Sequence, residues 1–168
     1  MNWKQPKVYA VKHKDEATRV AFRSGGIFTA LSDQVLSNGG VVYGCVLTDK
    51  FDAVHIRADN EKDRNRMRGS KYIQSKLGDT FKSVKADLDA QNSVLFSGTS
   101  CQVAGLKKYL GKEYDNLFCV DIVCHGFAAN AGIIVMAATN CAGKSRKTIL
   151  KLQVLTSVIK KILDGMTM

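Results

Sequence analysis

The sequence predicts an α/β domain: a mixed, largely parallel sheet flanked by helices, followed by an atypical C-terminal helical tail. Short apolar, β-branched runs (VVYGCVL, SVLFSG, LFCVDIVCHG) alternate with segments whose apolar residues recur every three or four positions. Glycines and polar turn residues separate the two kinds of segment. With 168 residues and 45% hydrophobic content, the chain is long enough for one real core, and a second domain is not expected.

Taken in order, the elements follow from local pattern. From Ser24, SGGIFTALSDQVLSNGG places Ile27, Phe28, Leu31 and Val35 on one helical face, with Ser24 as the expected N-cap and Gly39-Gly40 as the stop. VVYGCVL reads as a buried strand, and AVHIRA, beyond the polar turn Thr48 to Asp52, alternates as a half-exposed partner. The charged stretch DNEKDRNRMRGSK suits a helix or loop over the surface. Asp79 to Ala90 spaces Phe81, Val84 and Leu88 for a helix packed on the sheet, and SVLFSG is the next strand. TSCQVAGLKKYLG then brings Val103, Leu106 and Leu110 to one helical face, before LFCVDIVCHG as another near-continuous apolar strand.

Residues 1–127 are therefore expected to form the domain and 128–168 the tail. From Ala128 the chain turns alanine-rich and loses its strand-turn punctuation. It then continues as the basic segment GKSRKTILKLQVLTSVIKKILDG, in which Ile149, Leu152, Leu155, Ile159 and Ile162 recur at helical spacing. Such a helix can dock on the domain, pair with another chain or lie on an anionic surface.

Charge and cysteine usage narrow the function classes. The 25 Lys and Arg against 15 Asp and Glu give a net +10, which favours anionic partners such as nucleotides, phosphorylated cofactors or acidic proteins; a solvated basic surface is the plainer reading. The opening MNWKQPKVYAVKHKDE is polar and charged, unlike a signal peptide. The longest apolar run, GFAANAGIIVMAA, is broken by Asn130 and falls short of the roughly 18 residues of a membrane span. A cytoplasmic protein without a transmembrane segment is expected, its five cysteines serving as thiols, metal ligands or core residues rather than disulfides.

Two turns carry most of the chemistry. A strand ending at Gly98 and feeding a helix at Thr99 or Ser100 places backbone N–H groups around Cys101, an environment that favours a thiolate and anions. A buried, gap-filling cysteine is the alternative. Cys124 and His125 sit at the end of a second strand, and ends of neighbouring parallel strands line one crevice, so two cysteines could face one site. Cys119, five residues before Cys124, is assigned to the opposite face and to the core; Cys45 is assigned to packing, and Cys141 lies in the tail. No C-x-x-C pair is present, nor a P-loop, dinucleotide fingerprint or hydrolase elbow. RSGGIF opens a helix with an anion-binding nest, and RGSKYIQS supplies Arg68, Ser70, Lys71, Tyr72, Gln74 and Ser75 as donors for a phosphate or a heteroaromatic ring. Ordinary polar loops account for both stretches equally well. The basic RNRMRGSK stretch also admits a nucleotide- or nucleic-acid-binding module, but the interleaved aromatics of a stacking platform are absent, so nucleic acid is not the expected partner.

The order SGGIFTAL, GGVVYG, RGSKYIQS, VLFSGTSCQVAGLKKYL and VDIVCHG closely resembles the beta-subunit family of coenzyme F420 hydrogenases and dehydrogenases, from about Pro6 to Gly126. The resemblance implies an electron-transfer flavoprotein and oxidoreductase subunit. It would bind FAD and a 4Fe-4S iron-sulfur cluster and pass electrons between a partner subunit or ferredoxin and a small acceptor, coenzyme F420 among the candidates. It further implies Cys101 and Cys124 as cluster ligands or near neighbours, and Ser24, Gly25 and Gly26 as flavin-holding residues. Ser70, Lys71, Tyr72, Gln74, Ser75, Gly98, Thr99 and Gln102 would line the cofactor site. Lys71, Tyr72 and His125 would control local protons or charge. Ser100 stands where the family's GTPCQ turn has proline, a change that keeps the turn and could improve capping. The cysteine-rich ferredoxin segment often fused before this domain is missing, so other cluster ligands would come from elsewhere. After Gly126 the family pattern stops, which reads as a frameshift, a truncation or an inactive fragment.

Overall fold

The computed structural model describes residues 8–21, 25–50, 52–124 and 126. Ser24, His125 and the whole of the expected tail lie outside the described residues. Among the described residues five helices and four strands follow in order: α1 (Glu16–Ala21), α2 (Ile27–Ser37), β1 (Val41–Leu47), β2 (Ala53–Ala58), α3 (Glu61–Arg66), α4 (Thr80–Asp89), β3 (Val94–Thr99), α5 (Ser100–Leu110) and β4 (Leu117–Ile122). Among the described residues no helix is long and apolar enough to cross a membrane.

The sheet has the order β2-β1-β3-β4. β1 and β2 form an antiparallel pair in which Val42 faces Ala58 and Leu47 faces Ala53. The other two pairs are parallel, with Val41 beside Val94 and Val94 beside Leu117. Because side chains alternate along a strand, two cores form. Val41, Tyr43, Val94 and Phe96 pack with Val84 and Leu88 of α4 and with Val103, Leu106 and Leu110 of α5. Val42, Val46 and Leu95 pack in a second cluster with Val35 of α2 and with Met67, which ends α3. Val42, Val94, Phe96, Leu88 and Leu106 are completely buried, each worth about 1.5–3 kcal/mol.

Three expectations are corrected. The N-cap of α2 is Gly26 rather than Ser24, and the chain enters the helix through Gly25 and Gly26 at φ of 67° and 75°. A Cβ on Gly26 would stand 2.8 Å from that of His13, so glycine is needed there both for conformation and for space. The buried face of α2 is Thr29, Ser32 and Val35, while Leu31 is exposed. The reason is α3, which brings Arg64 beneath α2: its guanidinium pairs with Asp33 and donates to Ser32 Oγ at 3.1 Å, leaving Arg64 only 1% exposed. The last apolar run is the third case. Among the described residues β4 has a partner on one side only, and Phe118, Ile122 and Val123 face solvent although their sequence reads as interior.

Candidate functional site

The parallel register brings the two cysteine-bearing turns to the same end of the sheet. Thr99 pairs with Ile122 at the ends of β3 and β4, and Cys101 and Cys124 each lie two residues further along their chains. Both thiols are exposed. Between the turns, Ser100 Oγ donates to Asp121 Oδ1 at 2.8 Å, tying the start of α5 to β4. Thr99, not Ser100, is the N-cap of α5, so Ser100 serves as a strap rather than a cap. Thr99 Oγ1 lies 3.2 Å from Cys101 Sγ. The other two described thiols differ in character. Burial pushes both Cys45 and Cys119 up from the ordinary thiol range, and Cys119 packs on the core as expected. The parity argument that set Cys119 opposite Cys124 does not apply, because β4 ends at Ile122.

Behind the Cys101 turn lies a polar ring that joins RGSKYIQS to SGTSCQ. Gln102 Oε1 accepts from the Thr99 N–H at 3.0 Å, and Gln102 Nε2 donates to Ser75 Oγ at 2.8 Å. Ser75 Oγ is 2.9 Å from His55 Nδ1, and His55 Nε2 is 3.1 Å from the Ser97 carbonyl. Burial holds His55 below its ordinary value, with the Ser97 carbonyl opposing, and the ring stacks on Phe96 at 5.4 Å. Gly98 makes the arrangement possible: a Cβ there would stand 3.1 Å from Gln102 Oε1. His55 was missed in the sequence because AVHIRA reads as half-exposed; it is covered by the 70s segment, where Lys76 bridges to Val54 beside it. No local pattern signals that crossing.

The remaining predicted residues are placed separately. Lys71 turns back on α3, its ammonium donating to the carbonyls of Met67 at 2.7 Å, Arg68 at 2.8 Å and Arg66 at 3.2 Å. Burial lowers its pKa, with Cys45 nearby opposing. Ser70, Tyr72 and Gln74 are exposed, Tyr72 at 61%. Gly25 and Gly26 open α2, whose first turn receives no side-chain cap.

These features define a class before any likeness is considered: an α/β domain with exposed thiols where two adjacent parallel strands end, the position at which open sheets bind ligands. A chain of the F420-reducing [NiFe] hydrogenase complex from Methanosarcina barkeri, solved as a xenon derivative, is similar in fold, with a TM-score of 0.59 at 17% identity over 75% of this chain. That overlap covers 46% of the hydrogenase chain, so the present chain spans about half the length of that neighbour. No protein-family model matches the sequence, and no curated protein does.

The donor sets can be tested against the groups that the resemblance implies. Two exposed thiols are half of the four cysteines a cubane cluster takes. Among the described residues no group of three or more His, Cys, Asp or Glu gathers as a metal site, so these residues do not complete a cluster. For a flavin the chemistry fits better: an uncapped helix start behind two glycines suits a phosphate, and exposed Ser70, Tyr72 and Gln74 suit a heteroaromatic ring.

Proposed function

We propose that the chain is part of an electron-transfer flavoprotein subunit, working with a redox partner or ferredoxin and a small acceptor. The observation that carries this reading is the pair of exposed thiols, Cys101 and Cys124, beyond adjacent parallel strands in a fold like that of the hydrogenase chain. In this reading Gly25 and Gly26 with the first turn of α2 hold the phosphates of FAD. Ser70, Tyr72 and Gln74 meet its ring system, and Ser75, Gly98, Thr99 and Gln102 form the wall behind. Bound FAD supplies the hydride and electron chemistry. Lys71 sets local charge from the carbonyls of Arg66, Met67 and Arg68 at the end of α3, and Cys101 and Cys124 supply two cluster ligands, the remainder coming from outside the described residues.

Anaerobic reconstitution of the full chain with FAD, iron and sulfide tests the reading through visible absorption and iron content. A flavin band and retained iron are expected, with iron falling sharply in Cys101→Ala and Cys124→Ala but not in Cys119→Ala. Folded protein that retains neither flavin nor iron overturns it. A second reading, a subunit that is inactive by itself, draws on the apolar side chains of Phe118, Ile122 and Val123, which are exposed among the described residues. It predicts folded protein that takes up no cofactor until a partner subunit is added.

A further inference from the structure

Every bond in the polar ring has a forced direction. The Ser97 carbonyl only accepts, so the His55 ring, which burial favours in its neutral form, carries its proton on Nε2 and offers Nδ1 as an acceptor. Ser75 must then donate to Nδ1, which leaves its oxygen to accept from Gln102 Nε2. Gln102 Oε1 faces the Thr99 N–H, a donor only, so the carboxamide orientation is fixed as well. The circuit starts and closes on β3, two residues apart, after passing through β2 and the 70s segment. His55, Ser97 and Gln102 are each at most 9% exposed, so water competes poorly for these bonds. At the open end Thr99 places its hydroxyl against the Cys101 sulfur.

We infer that His55 and Ser75 are positioning residues for the Cys101 thiol, acting through Gln102 and Thr99. An exposed sulfur near the start of a helix has little to fix it unless the first turn is held, and here it is held from inside by a buried imidazole 46 residues earlier in the chain. The His55 ring cannot swing to other partners, because it lies against Phe96 with 15° between the ring planes. The inference rests on Cys101 being the working thiol of the proposed function, but its test requires no cofactor.

The full chain is treated with iodoacetamide, and alkylation of Cys101 and Cys124 is followed site by site by mass spectrometry. Cys124, outside the ring, serves as the internal reference. Amide exchange at Thr99 is measured in parallel. His55→Phe keeps a ring against Phe96 but removes both polar atoms, whereas His55→Gln can still accept from Ser75 and donate to Ser97. In His55→Phe and Ser75→Ala, exchange at Thr99 is expected to accelerate about fivefold, and the Cys101 to Cys124 rate ratio to move by about threefold or more. Both return towards wild type in His55→Gln. An unchanged ratio in folded variants, even with faster exchange at Thr99, overturns the inference, as does His55→Gln behaving like His55→Phe. If His55→Phe fails to fold, Ser75→Ala carries the same measurement. Loss of cofactor binding with these thiol results intact would remove the redox reading alone.

Discussion

Gly98 has the Phe96 ring on one side and Gln102 on the other, and a methyl group there would stand 2.9 Å from the ring. Gly98→Ala is therefore expected to destabilise the protein by about 1–3 kcal/mol, measured by urea unfolding, through overpacking against groups held on both sides. His55 gives a pH signature. Burial keeps its folded pKa below the ordinary 6.5, so as pH falls below that value the unfolded chain takes up a proton that the folded chain refuses. Stability is complete above about pH 6.5 and declines on acidification towards the folded pKa. His55→Gln should flatten this part of the stability curve, whereas an unchanged slope would show that another group is responsible. At this scale the sequence was partly legible. Ser75, Gly98, Thr99 and Gln102, which the resemblance assigns to a cofactor site, lie around one turn. Their hidden partner was not readable, because the burial of His55 depends on a segment twenty residues later crossing the strand that carries it.

Among the elements, the pairing of α2 with α3 departs most from pattern reading. Apolar spacing pointed Leu31 inward and left Arg64 in a surface cluster; the structure reverses both. Helical periodicity shows that a face is buried, but not that a neighbouring helix presents a guanidinium to a polar stripe of Thr29, Ser32 and Asp33. Arg64→Ala is expected to lower stability by about 2–4 kcal/mol in urea, since it removes buried volume and a charge-assisted contact together. A second tie joins β1, β2 and α4. Tyr43 donates to Asp87 Oδ2 at 2.6 Å, and Arg57 reaches both oxygens of the same carboxylate, at 2.8 and 3.2 Å. Burial alone would raise the Asp87 pKa, but Arg57, Tyr43 and Asn92 together hold it below the ordinary 3.8. Its contribution is thus present above about pH 4 and lost as pH falls through the folded value. Asp87→Asn should weaken the protein at neutral pH and lose this acid-range slope, both readable from urea midpoints across pH.

For the molecule as a whole, the strand and helix order was legible because punctuation by glycine and polar turns is dense up to Gly126. The lateral position of each strand was not. β4 is as apolar as β3, yet among the described residues it sits at an edge, with Phe118, Ile122 and the following Val123 in solvent. Exposed apolar side chains on an edge strand are an aggregation hazard, so Phe118→Lys with Ile122→Lys should reduce light scattering on heating while leaving far-UV ellipticity in place. The route from β2 through the 70s segment to α5 also bears on kinetics. The β1–β2 hairpin closes over a short turn, whereas the circuit through His55 and Gln102 requires contacts 20 to 42 residues apart in sequence. We expect these side-chain bonds to form after the barrier, because they join elements that sheet pairing, itself spanning 53 residues between Val41 and Val94, must first bring together. His55→Gln should therefore leave the refolding limb of a chevron plot almost unmoved and shift its effect to the unfolding limb, making the Cys101 turn a determinant of how long the folded chain survives rather than of how fast it is reached.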